Sequence, residues 1–189
     1  MFGAYKAVCG NEIVQVRRHA VGAGYTAHHQ APGVEDYRRL RGICGLTPRN
    51  VTAAEAGLPN TLFAVVIRQT GQTIGMGRNV GDGALFLHIV DIAVDPDHQG
   101  QGLGKVVMAM LMEHIKATAP AEAHVSLMAD GDAPRLYAQF GFEPVAPRSL
   151  GMAVWINKQC RRLPSSSTCS TQSSQGWPIL LDSPILMRS

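Results

Sequence analysis

Seven residues from Gln99 to Lys105, Gln-Gly-Gln-Gly-Leu-Gly-Lys, have the composition of an anion site. Gly100, Gly102 and Gly104 let the backbone turn tightly and leave amide N–H groups uncovered. An apolar run, Ala84 to Val94, precedes them and Pro96 ends it; an amphipathic stretch follows. The start of a helix carries unpaired donors and a partial positive charge, so such a loop suits a phosphate, and Lys105 adds a full charge. Two nucleotide patterns are excluded. Gly100-x-Gly102-x-Gly104 lacks the final spacing of G-x-G-x-x-G, and a P-loop needs four residues between its glycines and then Lys-Ser or Lys-Thr. The glycines alone fit a plain strand–turn–helix connection equally well.

Two polar residues interrupt the apolar run. His88 shares strand parity with Val90 and Ile92, and Asp91 has the opposite parity. A bulge would bring both into one cleft. His88 fits a general base near neutral pH, or a histidine hydrogen-bonded within the sheet. Asp91 fits a contact to a substrate amine, or a buried carboxylate that braces the loop. His28 and His29 fall on an early strand and His98 beside the loop. None has metal-ligand spacing. The four cysteines (Cys9, Cys44, Cys160 and Cys169) contain no C-x-x-C pair, so no metal is expected and reduced thiols are.

The elements that must position these residues alternate. A strand is expected over Gly24 to Gln30, a helix over Val34 to Ile43 and a short Ala-rich helix from Asn50 to Gly57. Strands follow at Thr61 to Arg68 and Thr73 to Val80, joined by the turn Gln69-Thr70-Gly71-Gln72. Ala84 to Val94, apolar on both faces, reads as a central strand. A helix over Gly102 to Ala117 carries one stripe of Leu103, Val106, Val107, Met110, Leu111 and Ile115. Val125 to Ala129 is a strand. Asp132 can cap a short helix with Pro134 in its first turn and Gly141 beyond its end. Val145 and Met152 to Ile156 are expected as closing strands. The order implies an α+β fold, a mixed sheet flanked by helices.

The 189 residues suit one domain, and 46% apolar against 16% charged residues is a globular balance. A net charge of +3 with short basic clusters (Arg17-Arg18 and Arg38-Arg39-Leu40-Arg41) argues against a nucleic-acid partner. No apolar run approaches a membrane span and no secretory signal is evident, so a cytoplasmic protein without a membrane partner is expected. Composition shifts near Cys160; residues 165–174 hold six Ser and two Thr. Residues 1–159 read as the domain, with its core at about 24–157, and 160–189 as a Ser-rich mobile tail.

Gln99-Gly100-Gln101-Gly102-Leu103-Gly104 resembles the Q/R-x-x-G-x-G/A signature of the GNAT superfamily of N-acetyltransferases. Ala133-Pro134-Arg135-Leu136-Tyr137-Ala138-Gln139-Phe140-Gly141-Phe142 is similar to its second motif, A-x-x-L-Y-x-x-x-G-F. The resemblance implies a mostly antiparallel mixed sheet and acetyl-CoA as cosubstrate. It implies that the backbone of Ile92, Ala93 and Val94 pairs with the pantetheine arm. It implies too that Gln99, Gly100, Gln101, Gly102, Leu103 and Gly104, with Lys105, hold the pyrophosphate. Tyr137 is then placed near the thioester sulfur. Asp130, seven residues before it, stands where the family often has Asn.

Acetyl transfer to an amine needs a neutral amine and a protonated leaving thiol. An alkyl amine of pKa ~10.4 is neutral at pH 7 in about one molecule in 2,500, a cost of about 4.6 kcal/mol. Tyr137, with an ordinary pKa ~10, can donate to the thiolate. His88 is the expected base, with Asp91, His28 and Tyr37 expected around the acceptor, a small-molecule amine. Tyr25 and Trp155 also belong to the expected pocket. A monomer or homodimer is expected. A protein or peptide acetyltransferase, and a non-catalytic CoA-binding sensor, are the rival readings.

Overall fold

A computed structural model describes residues 24–156, together with the backbone of 4–9 and 12–17. The chain divides into two units, Met1–Leu150 and Gly151–Ser189. The Ser-rich stretch from 160 lies outside the described residues. In the first unit β1 (Ala4–Cys9) and β2 (Glu12–Arg17) form an antiparallel pair. Then come β3 (Tyr25–His29), α1 (Val34–Ile43), α2 (Val51–Gly57), β4 (Phe63–Gln69), β5 (Gln72–Gly81) and β6 (Phe86–Val94). α3 (Leu103–Thr118), β7 (His124–Leu127) and α4 (Ala133–Tyr137) complete the order. A five-stranded sheet runs β3-β4-β5-β6-β7, antiparallel throughout except for the parallel pair β6 and β7. This is the expected α+β architecture.

Local chemistry explains most boundaries. The Asn50 side chain accepts from the Ala53 N–H and starts α2. Thr70 and Gly71 both have positive φ, 47° and 85°, as a two-residue turn between twisted antiparallel strands requires. Asp82 accepts from the amides of Ala84, Leu85 and Phe86 and shapes the turn into β6.

The sheet is covered on both faces. Val65, Ile67, Ile74, Leu87 and Ile89 pack against Leu103, Val107, Met108, Leu111 and Ile115 of α3. Each such buried side chain contributes about 1.5–3 kcal/mol. On the other face Val66, Met76 and Ala93 meet Tyr37 and Leu40 of α1 and Ala54 of α2. Gly77 sets how closely α3 approaches: a Cβ there would lie 2.6 Å from Ile92 Cδ1 and nearer still to Val107 Cγ1.

Three expectations are corrected. Val145 is not in a strand and is 58% exposed; Pro144 and Pro147 beside it cannot donate to a ladder. Met152 to Ile156, in the second unit, have no regular structure and are exposed. Leu85 and Phe86 are exposed, so double coverage of the central strand begins only at Leu87. In addition, Asp132 makes no side-chain cap at α4. Among the described residues no helix is long and apolar enough to cross a membrane, and no three metal-ligating side chains cluster.

Candidate active site

The site is built on a fault in β6. Ala93 pairs with Met76 and Val90 with Arg78, so β6 spends three steps where β5 spends two. That extra residue is a bulge. Asp91 sits in it with φ 59°, a left-handed conformation costly for a non-glycine residue, at about 1–3 kcal/mol. Two guanidinium groups hold it there. Asp91 Oδ1 pairs with Arg41 Nη1, and Arg78 Nε donates to Oδ2 at 2.8 Å. Arg78 also donates to Thr61 Oγ1 at 2.7 Å and Arg41 to the Thr47 carbonyl at 2.8 Å. Both guanidinium carbons lie over the Tyr37 ring, 5.6 and 5.4 Å from its centroid. The side chains of Asp91, Arg41, Arg78 and Tyr37 are buried.

Beyond the bulge the sheet opens. β6 and β7 pair only from Phe86–His124 to Ile89–Leu127, and β6 then runs on to Val94 beside β5 alone. A cleft of about 680 Å³ occupies the gap. Val90, Asp91, Ile92 and Val94 form one wall, and Met128, Asp130 and Asp132 follow β7 on the other. Gln99, Gly100, Gly102, Leu103, Gly104 and Lys105 line it at the start of α3, and Leu136 and Tyr137 from α4. Gly100 and Gly102 have φ 75° and 79°, and a Cβ on either would meet nothing within 4 Å. The loop therefore presents bare backbone to open space. It is tied down by Gln99, whose Nε2 donates to the Val94 carbonyl at 2.9 Å. The Cys44 thiol donates to the same carbonyl at 3.3 Å. Burial first, then the charge of Asp95, pushes that thiol's pKa up, which keeps it protonated.

Tyr137 is 8% exposed, with Phe142 edge-on at 6.4 Å. Burial pushes its phenol above the ordinary value of 10.0, and the Asp130 carboxylate adds to the shift. The group is a proton donor throughout the physiological range.

The remaining candidates fall elsewhere. His88 Nδ1 is 2.9 Å from Ser126 Oγ, across the paired part of β6 and β7, and the residue does not line the cleft. Ala93 turns its side chain to α1 and α2 and offers backbone only. Gln101 accepts from the Tyr25 hydroxyl, away from the lining. His28 is an exposed residue of β3, separated from β6 by β4 and β5, and bonded to Thr26 Oγ1. Tyr37 is buried beneath the two arginines. His28, Tyr37 and His88, expected at the acceptor and as the base, thus lie outside the lining of this cleft. Asp91 does line the cleft, but its charge is already taken by two cations. Sequence reading missed Arg78 as its partner; a lone arginine inside an apolar strand was the available signal. Leu136 stands in the second motif beside Tyr137, whereas Cys44, Leu46 and Met128 carried no comparable signal.

A mostly antiparallel sheet whose single parallel pair splays beside a glycine-rich helix start is the architecture of the GNAT class. An acetyltransferase (GNAT) domain matches residues 50–155, more than half of the chain, and the chain belongs to that family. A Staphylococcus aureus structure described as a "Probable Acetyltransferase" is 42% identical, with a TM-score of 0.68 over 70% of this chain and 99% of its own. "GCN5-related N-acetyltransferase 2, chloroplastic" from Arabidopsis thaliana is 35% identical over 92 residues, 48% of this chain and 34% of the relative. "Serotonin N-acetyltransferase 2, chloroplastic" from rice is 28% identical over 89 residues, 47% of this chain and 44% of the relative. The chain spans about a third to under two thirds of the first curated relatives it matches.

Proposed function

We propose that the chain moves an acetyl group from acetyl-CoA to the primary amine of a small molecule, directly in a complex of both substrates, with Tyr137 as general acid. One observation carries this reading. The edge of β6 that β7 leaves unpaired, the uncovered amides at the start of α3 and the protonated Tyr137 phenol all meet in one cleft.

Acetyl-CoA supplies the activated thioester. The edge of Ile92 to Val94 that β7 leaves unpaired suits an extended, amide-bearing arm added as a further strand. The amides of Gly100 to Gly104, the positive end of α3 and Lys105 suit its pyrophosphate. Tyr137 keeps its proton and delivers it to the leaving thiolate, whose thiol resembles Cys at pKa ~8.5. Asp91 is neutralised and His88 lies off the cleft, so the amine proton passes to water or to the Asp130 carboxylate. The cleft's 680 Å³ falls within the ~300–1,000 Å³ of small-molecule sites, which suits it to the cofactor. The rice relative named for serotonin supports a small amine as the acceptor. A soybean relative named "Histone acetyltransferase TAP1", 37% identical over 70 residues, favours a peptide amine as the second reading.

Tyr137→Phe tests the mechanism. Turnover is expected to fall about 10²-fold or more, the usual scale of a general acid, with the acetyl-CoA KM within about threefold. Full turnover would remove Tyr137 from the chemistry.

A further inference from the structure

We infer that Tyr25 is a positioning residue for the cofactor loop, holding Gln99 to Lys105 in its binding shape from the far edge of the sheet. The inference rests on the reading of that loop as the acetyl-CoA pyrophosphate site.

Gln101 stands between two glycines that both have positive φ, so its backbone has little intrinsic preference for the shape it adopts. Its side chain supplies the missing restraint. Tyr25 Oη donates to Gln101 Oε1 at 2.9 Å. The same oxygen lies 3.0 Å from His98 Nδ1, and the two rings meet edge-on at 5.8 Å. A phenol has one proton. With it committed to Gln101, the imidazole must donate from Nδ1 to Oη. One hydroxyl therefore ties together both sides of Gln99: His98, which closes the turn after Pro96, and Gln101, in the middle of the glycines.

Tyr25 itself is anchored. It begins β3, opposite Gln69 of β4, and its ring packs on the core beneath α3. The clamp thus connects a rigid strand to the most permissive stretch of backbone in the cleft. Gln99 holds the same loop from the other side through the Val94 carbonyl. Ordering a loop before its ligand arrives removes part of the entropy cost of binding. The expected signature is in cofactor affinity and not in the chemical step.

The test is Tyr25→Phe, which keeps the ring and removes the hydroxyl. CoA dissociation constants come from calorimetry, steady-state rates from thiol release, and midpoints from thermal melts. The variant is expected to bind CoA about fivefold more weakly, the scale of one net hydrogen bond, with kcat and melting midpoint unchanged. Gln101→Leu is expected to weaken binding similarly, and the double variant no further than either single one. Unchanged CoA affinity in Tyr25→Phe, additive losses in the double variant, or equal falls in kcat and midpoint would each overturn the clamp. Absence of CoA binding by the unsubstituted chain would overturn both the clamp and the reading of the loop beneath it. The two failures are therefore distinguishable.

Discussion

Tyr137 and Asp130 belong to one electrostatic unit. A carboxylate beside a phenol disfavours the phenolate, and Asp130 adds in this way to the effect of burial. Asp130→Asn removes that contribution, so the Tyr137 pKa falls back toward its ordinary value. The acid form is then lost earlier as pH rises. The alkaline limb of the kcat profile is expected to move to lower pH in Asp130→Asn; an unmoved limb would show that another group sets it. The placement of Tyr137 in the cleft was legible because its motif is local, ten residues that fold into one short helix and its end. The state of Asp91 was not. Its partners Arg41 and Arg78 are 50 and 13 residues away in sequence; packing of α1 on the sheet brings the first and pairing of β5 with β6 the second.

At the scale of elements, the bulge in β6 determines where the sheet opens. Asp91→Ala leaves two buried guanidinium groups without their carboxylate, a loss of about 3–5 kcal/mol. A fall of about 10 °C in melting midpoint is expected for a chain of this size, read by calorimetry. A midpoint within about 2 °C of the original would mean that the cluster is solvated and does not brace the strand. Gly77→Ala acts on the same element from behind. Its methyl group would crowd Val107 and Ile92, costing about 1–3 kcal/mol and displacing a cleft wall. A higher acetyl-CoA KM together with a lower midpoint is expected. The helices and hairpin turns were readable because caps and positive-φ turn residues act within a few positions: Asn50 for α2, Thr70 and Gly71 for β4 and β5. The closing strands failed for the complementary reason. Val145 and Met152 to Ile156 have strand-like composition, but composition does not supply a partner, and two prolines withhold the donors around Val145.

At the scale of the molecule, acid should loosen the fold through a pair of histidines far from the cleft. His29 and His114 each stack on Phe63 with ring centroids 3.9 Å apart. Burial lowers both pKa values below 6.5, and for His114 the charge of His29 adds to it. The folded chain therefore binds fewer protons than the unfolded chain. Stability from this pair is complete above the unfolded value near 6.5 and declines as pH falls below it. The melting midpoint is expected to drop between about pH 7 and 5, and His114→Phe should flatten that dependence. An unchanged slope in the variant would place the acid sensitivity elsewhere.

The central claim is that the cleft brings acetyl-CoA and an amine together for direct transfer. It is tested most directly by measuring CoA release and acetamide formation side by side, for the full chain with acetyl-CoA and a panel of small amines, amino acids and peptides. One acetamide formed per CoA released, with a small amine as the best acceptor, is the predicted result. Tight CoA binding without acetamide from any acceptor would contradict it.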